Sequence, residues 1–482
     1  MKSTRLIPDL LFIIALLSCL PTFAQDSLSA RHGMYTDKAE AKNEMLHGKK
    51  EGKWIEYRDS NLDATKNTDA PYYVLLNYHE GKSTDSGMEY YKSGKLHSRI
   101  PYVNGKIEGL KRNYYENGAI RARIPYKAGK RDGQDSTFYK SGKKNGIWIY
   151  KNGMNEGAKI YYENGTLKRE EPFTDSVENG IDKKYYQDGK IEAEWPYVNG
   201  KVNGVQKSYF ENGALDWTVP YVNGKREGKA TEYYEKGGVH WEQPYANDKK
   251  NGTEKGYYTN GALHWETDYT NDDKNGVEKE YYENGKTKDV RLYVNGKSNG
   301  VRNSYYENGA LKWKTGYKNG EKDGPEKGYY DNGKLKWDNV WVDGKRIGTS
   351  KGYYDDGKIK WVKPYTDSGK LDGVEKLYYE SGAVKNEYPY TNSLENGVEK
   401  EYYESGMIEE EVPYINDTIS GLYKRYYENG KLNTKVTYIN GKRDGNIEWY
   451  REDGTLKQLL HYQNGVMTGG VTNYDEKGDE IK

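Results

Sequence analysis

The sequence predicts an all-β fold: an elongated, twisted, single-layer antiparallel β-meander of about 17–18 hairpin repeats. Three observations lead there. An aromatic pair recurs about every 24 residues, with its first tyrosine at positions 90, 114, 185, 209, 233, 257, 281, 305, 329 and 353. Each unit carries two different glycine-containing turn signals, one after the aromatic pair and one after a later tyrosine. A unit this short that holds two turns has no room for a helix.

A chain of 482 residues would ordinarily divide into about three globular domains. The repeat replaces that expectation, because each unit of an array needs only its neighbours and length then measures the number of units. Tyrosine and tryptophan, 51 and 11 in number, supply the apolar surface that aliphatic residues supply in a globule, so no thick core is expected. The 75 basic and 74 acidic side chains give a formal net charge of +1. They are interspersed within every repeat, which describes a solvated surface and excludes the basic stripe of a nucleic-acid binder.

At the N-terminus, Lys2 and Arg5 precede an apolar run from Leu10 to Leu20 and then Thr22-Phe23-Ala24. This predicts a signal peptide over 1–24, cleaved after Ala24, since the run is too short for a permanent membrane span. A second reading is open: Leu16-Leu17-Ser18-Cys19 resembles a bacterial lipoprotein signal and would leave an acylated Cys19 as a lipid anchor, the one membrane attachment expected. Cys19 is the only cysteine, so the mature chain has no disulfide under either reading. The expected location is the periplasm, the outer membrane or cell surface, or the medium.

Residues 25–47 lack the pattern and read as a flexible lead-in. The array opens at Gly48-Lys49-Lys50-Glu51-Gly52-Lys53-Trp54 and runs over 48–478, leaving a tail at 479–482. A loop insertion near 58–71 interrupts it between Tyr57 and Tyr90 and reads as a tolerated surface excursion.

Within a unit, the aromatic pair meets Asn-Gly, as at Asn117-Gly118, Asn212-Gly213 and Asn308-Gly309. That dipeptide predicts a two-residue type I′ hairpin turn. Tyr306 would then lie opposite Leu311, Tyr305 opposite Lys312 and Ser304 opposite Trp313. Strand alternation would place Tyr306, Leu311, Trp313 and Tyr317 on an aromatic face and Tyr305, Lys312 and Lys314 on a charged one. The second turn, as in Tyr221-Val222-Asn223-Gly224-Lys225-Arg226-Glu227-Gly228, is longer and hands the chain to the next hairpin. Prolines 101, 125, 196, 220, 244, 364, 389 and 413 precede its tyrosine and should sit where a ladder partner is missing. The 25-residue step from Tyr353 to Tyr378 has its extra residue in Tyr365-Thr366-Asp367-Ser368-Gly369, inside a turn, because an insertion in a strand would flip its faces.

Tyr114-Tyr115-Glu116-Asn117-Gly118-Ala119-Ile120, with Tyr102-Val103-Asn104-Gly105-Lys106-Ile107-Glu108-Gly109, resembles the MORN-repeat variant of bacterial proteins often labelled YwqK-type antitoxins of toxin–antitoxin systems. The resemblance covers about nine-tenths of the chain. It implies an elongated β-hairpin array used for protein or membrane contact, and it brings no catalytic residue with it.

No motif for chemistry survives inspection. His240 and His264 occupy a repeat position held elsewhere by Lys312, Lys336 and Lys360, which reads as a solvated face and not a metal site. Gly296-Lys297-Ser298 resembles the end of a phosphate loop, but Arg291 stands where that loop needs glycine. Carboxylates are spread evenly and no Gly-x-Ser-x-Gly occurs. The expectation is a non-enzyme with no catalytic residue, cofactor or metal.

The candidate binding residues are Trp217, Trp241, Trp265, Trp313, Trp337 and Trp361, which share one repeat position that Asp289 interrupts. Equivalent residues would stand about 9.6 Å apart, two strands along. They could form the hydrophobic layer, a partner-binding face, or both. The leading functional reading is an exported binding or scaffold protein whose aromatic face engages a protein or cell-envelope partner. The alternatives are a cell-wall or polysaccharide-binding array, and an antitoxin or immunity protein.

Overall fold

The computed structural model describes residues 37–84 and 86–481. The expected leader at 1–24, with Cys19, lies outside the described residues, as do positions 25–36 of the lead-in, Asp85 and Lys482. The described chain is strands and turns throughout apart from one 3-10 turn at Lys38–Glu40. It divides into two compact units, 1–177 and 178–482, and both are antiparallel β-hairpin arrays.

The repeat is clearest in the C-terminal unit. Strand Gly300–Tyr305 pairs with Leu311–Lys318, with Gly300 opposite Tyr317 and Ser304 opposite Trp313. The turn between them differs from the expected one. Tyr305 faces Leu311, a register shift follows, and Lys312 is the extra residue. The Tyr306 amide donates to the Ala310 carbonyl and the Gly309 amide to the Tyr306 carbonyl, both at 2.8 Å. Gly309 has φ +93°, while Asn308 is not among the residues of positive φ. This is a three-residue loop, a type I turn closed by a left-handed glycine, and not a type I′ turn. The cause is the Asn308 side chain, whose Oδ1 accepts the Ala310 amide at 2.8 Å and so stabilises the longer turn.

The type I′ turn occurs at the other rim. Asn319 and Gly320 both take positive φ, +53° and +95°, and Lys318 pairs directly with Glu321. Near that rim each proline lies beside a bulge. Pro220 pairs with Val205 on one side, and on the other its carbonyl accepts the Glu227 amide at 3.0 Å. The N and O of one strand residue point the same way, so the missing N–H faces the bulge, where no ladder acceptor stands. Gly228 completes the bulge with φ +104°, and a side chain there would meet Pro220 Cγ at 3.2 Å.

The corrected register moves two predicted residues, the first being Leu311, which pairs with Tyr305 instead of Tyr306. Trp313, Thr315 and Tyr317 alternate along one face, with Tyr305 and Lys314 on the other, as expected. Tyr306 leaves the ladder instead of joining the tryptophan face. Its ring lies 5.5 Å from Lys312 Nζ, and its hydroxyl donates to the Tyr329 carbonyl at 2.9 Å, 23 residues ahead. The same bond recurs from Tyr234, Tyr258, Tyr282, Tyr330, Tyr379, Tyr403 and Tyr427. In the N-terminal unit it recurs from Tyr91, Tyr115 and Tyr139. Arg451 takes the role at the last step, donating to the Tyr474 carbonyl. In most repeats one hydroxyl thus fastens a hairpin to the next, while Phe210 has none to offer. Changing Tyr282, Tyr306 and Tyr330 together to Phe is expected to cost about 1 kcal/mol per bond, read as a lower urea midpoint with unchanged circular dichroism.

The first tyrosine of each pair anchors the opposite face. Tyr257, Tyr281 and Tyr402 donate to Glu242, Glu266 and Glu387 at 2.8–3.0 Å. Burial first, and then these carboxylates, push each phenol up to about 12.

Between the tryptophan and tyrosine rows runs a buried row that is largely polar, including Gln243, Thr267, Thr315, Glu326 and Ser350. Around Glu326 the polar residues bond one another, whereas Ser350 Oγ and Gln243 Oε1 have no partner. Glu326 accepts from Lys322 (2.5 Å), Trp341 (2.8 Å), Asn339 (2.9 Å) and Thr315 (3.2 Å). Burial works to raise its pKa, but the bonds from Lys322, Trp341 and Asn339 together hold it below the usual range. Aliphatic packing takes over near the end of the unit, where Val436, Ile447 and Leu460 pack with Tyr423, Tyr438, Trp449 and Tyr462.

Glu399 belongs to the same row and behaves oppositely. Burial, then Glu395, Glu410 and Glu401, push it up to about 7 from 4.5. The folded state therefore holds a proton that the unfolded state has released, and this contribution, full below about pH 4.5, is lost as pH rises through 7. Discounted for partial solvation, the effect is about 1 kcal/mol. Glu399→Gln should unfold at higher urea than the parent at pH 8 and show no such gain at pH 4.5.

In the N-terminal unit, strand Lys49–Arg58 pairs along its length with Tyr72–His79, and pairing begins earlier, at Glu44–Leu46. The insertion near 58–71 folds back: Ala64–Thr65 pairs with Tyr57 and Arg58, and Asp59 caps the Asn61 and Asp63 amides. Ala70, Val74, Leu75, Leu76 and Met88 are buried in this unit. Beside them a buried His97–Glu89 pair at 2.7 Å is enclosed by the rings of Tyr72 and Tyr91.

Candidate functional site: the tryptophan row

All six tryptophans of the predicted register fall in one cross-strand row of the C-terminal unit. Trp217 faces Glu232, which faces Trp241, followed by Gly256 and Trp265. Further along, Trp313, Gly328, Trp337, Gly352 and Trp361 are successive partners. Asp289 occupies the interrupted position, where its carboxylate binds Arg302 Nε at 2.9 and 3.1 Å. That guanidinium also lies 4.8 Å from the Trp313 ring, so the row continues through a charged link.

The glycines of the row are there for space. A Cβ on Gly256, Gly328 or Gly352 would come within 2.4, 2.2 or 2.1 Å of the indole of Trp265, Trp337 or Trp361. Each ring therefore lies flat over a bare backbone, the arrangement by which an aromatic covers a strand glycine. Every tryptophan of the row is half-buried. The rings also reach toward one another: Trp217 and Trp241 are 5.3 Å apart at 64°, well inside the 9.6 Å strand separation, because indoles lean across the intervening residue.

At Trp217, Trp241 and Trp265 the row walls a cleft of about 440 Å³. His240 and His264, read from sequence as part of a solvated face, line it as well. Their rings lie 4.5 and 4.1 Å from those of Tyr234 and Tyr258. His240 also meets Glu232 at 3.2 Å. The visible signal was the exchange of lysine for histidine in two consecutive repeats, but not the tyrosine contact that gives it meaning. A second cavity, about 550 Å³, lies in the N-terminal unit against His97, Arg121, Arg131, Asp135 and Trp148. Sequence periodicity gave no sign of it, since its residues come from irregular repeats.

Among the described residues no group of three or more His, Cys, Asp or Glu is placed to hold a metal ion. No described helix is long and apolar enough to cross a membrane.

Ten segments match the family model described as MORN repeat variant: 88–104, 107–128, 158–175, 178–199, 274–295, 322–336, 371–392, 395–416, 419–440 and 443–464. No curated protein matches the chain. Among solved structures, the crystal structures of TcdB2-TccC3 and of TcdB2-TccC3-Cdc42 align at 11% identity over 89% of this chain and 30% of theirs, with TM-scores of 0.13 and 0.14. A Photorhabdus luminescens Tc holotoxin pore structure aligns at 10% identity over 88% of this chain and 30% of its own, with a TM-score of 0.14. The chain thus spans about three-tenths of the length of these chains. The matched segments fall in both units and, with the repeat geometry above, support a MORN-repeat protein.

Proposed function

We propose that this chain is an exported, non-enzymatic binding scaffold whose aromatic β-face engages a protein or another cell-envelope component. One observation carries the reading: six half-buried indoles stand in a single cross-strand row, three of them lying over glycines. A purely structural layer would be served by full burial, whereas partly open aromatic rows mark recognition surfaces. Export rests on Lys2, Arg5, the apolar run Leu10 to Leu20 and Ala24, with lipidation at Cys19 as the alternative route to the envelope. A polysaccharide-binding array is the second reading, favoured by ring faces repeated along one line. The YwqK-type antitoxin role would fit only a toxin that is itself exported.

The test is a pull-down from envelope extracts with the full chain and a variant carrying Trp217→Leu, Trp241→Leu and Trp265→Leu, with circular dichroism verifying the fold. Loss of one stoichiometric protein supports the scaffold, with toxin neutralisation separating the antitoxin role, and loss of a polysaccharide moves the assignment to the second reading. Undiminished binding by a folded variant overturns both.

A further inference from the structure

The geometry points to the cleft walled by Trp217, Trp241, Trp265 and Tyr258 as a binding site for an organic ammonium group, either a quaternary ammonium or an alkylated amine. This inference rests on the binding reading of the tryptophan face and names the chemistry that one stretch of it recognises.

Three independent features of the cleft agree. Its lining contains the carboxylates of Glu232 and Glu283 and no lysine or arginine, in a chain where those two residues number 75 of 482. The cavity of the N-terminal unit differs, with Arg121 and Arg131 in its lining. Aromatic faces of negative quadrupole beside two carboxylates attract a cation and repel an anion.

The second feature is the chain's own use of the same rings. In repeat after repeat an ammonium lies over the second tyrosine of the pair. Lys288 covers Tyr282, Lys312 covers Tyr306, Lys336 covers Tyr330, Lys360 covers Tyr354 and Lys385 covers Tyr379, at 5.1–5.9 Å. At the cleft this position holds His240 and His264 instead of lysine, and among the described residues no lysine is recorded over Tyr234 or Tyr258. An external cation would stand where the other repeats supply their own.

The third is location. The cleft is built mainly from residues 217–265, within the stretch 200–273 that the family model leaves unmatched, although strand pairing continues through it unchanged. What sets this stretch apart from the other repeats is histidine at 240 and 264, and both face the cleft.

The test uses the full chain and titrates tetramethylammonium by calorimetry, with neopentyl alcohol as a neutral probe of similar size. Tetramethylammonium is expected to bind at least 10-fold more tightly than the alcohol. The variant His240→Lys with His264→Lys restores the side chain that other repeats carry there, so it should keep its fold while losing at least 10-fold in tetramethylammonium affinity. Equal affinity for the two probes overturns the proposal, as does binding by neither, or an unchanged affinity in the folded lysine variant. If the lysine variant does not fold, Glu232→Gln with Glu283→Gln replaces it, and unchanged affinity there overturns the proposal as well. Absence of ammonium binding alongside tryptophan-dependent capture of an envelope partner would refute this inference and leave the scaffold reading standing.

Discussion

Glu326→Ala is expected to be among the most damaging single substitutions in the C-terminal unit, costing about 3 kcal/mol. The carboxylate is buried and accepts from four donors, Lys322, Trp341, Asn339 and Thr315. Alanine leaves the donors with no acceptor in a place water does not reach freely, and the loss of unpaired buried donors exceeds the modest net gain of each bond. Glu326→Gln, of the same shape, should cost less, because one oxygen still accepts while the ion pair with Lys322 is lost. In a repeat array such damage stays near its source. The measurement is therefore amide hydrogen exchange. Protection in Leu311–Lys318, Glu321–Tyr329 and Leu335–Val342 should fall about 100-fold, while strands near Glu399 keep theirs. Equal loss throughout the unit would mean that it unfolds as one body.

Gly352→Val is expected to cost about 2–3 kcal/mol by overpacking. Gly352 does not have positive φ, so conformational freedom is not its purpose. A Cβ would stand 2.1 Å from Trp361 Nε1 and 2.2 Å from Cε2, and the indole must leave its place over the strand. A double-mutant cycle isolates that cause. In a Trp361→Ala background the same valine should cost less than about 1 kcal/mol, since strands favour β-branched residues and nothing opposes the new side chain. Additive effects would show that the close approach is not what excludes a side chain.

Much of the architecture could be read from the repeat because the signals were local. Glycine, asparagine and proline at fixed offsets announced two turns per unit, and the six tryptophans announced one row. The turn assignment went astray because Asn-Gly occurs at both rims and the dipeptide alone does not distinguish them. What decides is whether the asparagine side chain captures the amide two residues on, as Asn308 does, or the asparagine itself takes positive φ, as Asn319 does. That one-residue difference carried Tyr306 off the predicted face and hid its bond to the next repeat. The cleft was hidden for another reason. It depends on how far indoles lean across a strand and on which cation covers which ring, and both are properties of side-chain packing that periodicity does not encode.

The tyrosine clasp has a consequence for how such a chain can change in length. Because a hydroxyl in one hairpin must reach a carbonyl in the next, whole units can be gained or lost without disturbing their neighbours, but a fragment of a unit cannot. Odd steps keep the clasp: Tyr139 reaches Tyr161 across 22 residues, and Tyr354 reaches Tyr378 across 24 instead of 23, the additional residue being absorbed where Thr366 and Gly369 close a three-residue loop in place of the tight turn. The rim with the clasp is thus a seam of fixed spacing and the other a free hem. Foreign segments sewn into the hem at Ser368 should leave the fabric whole.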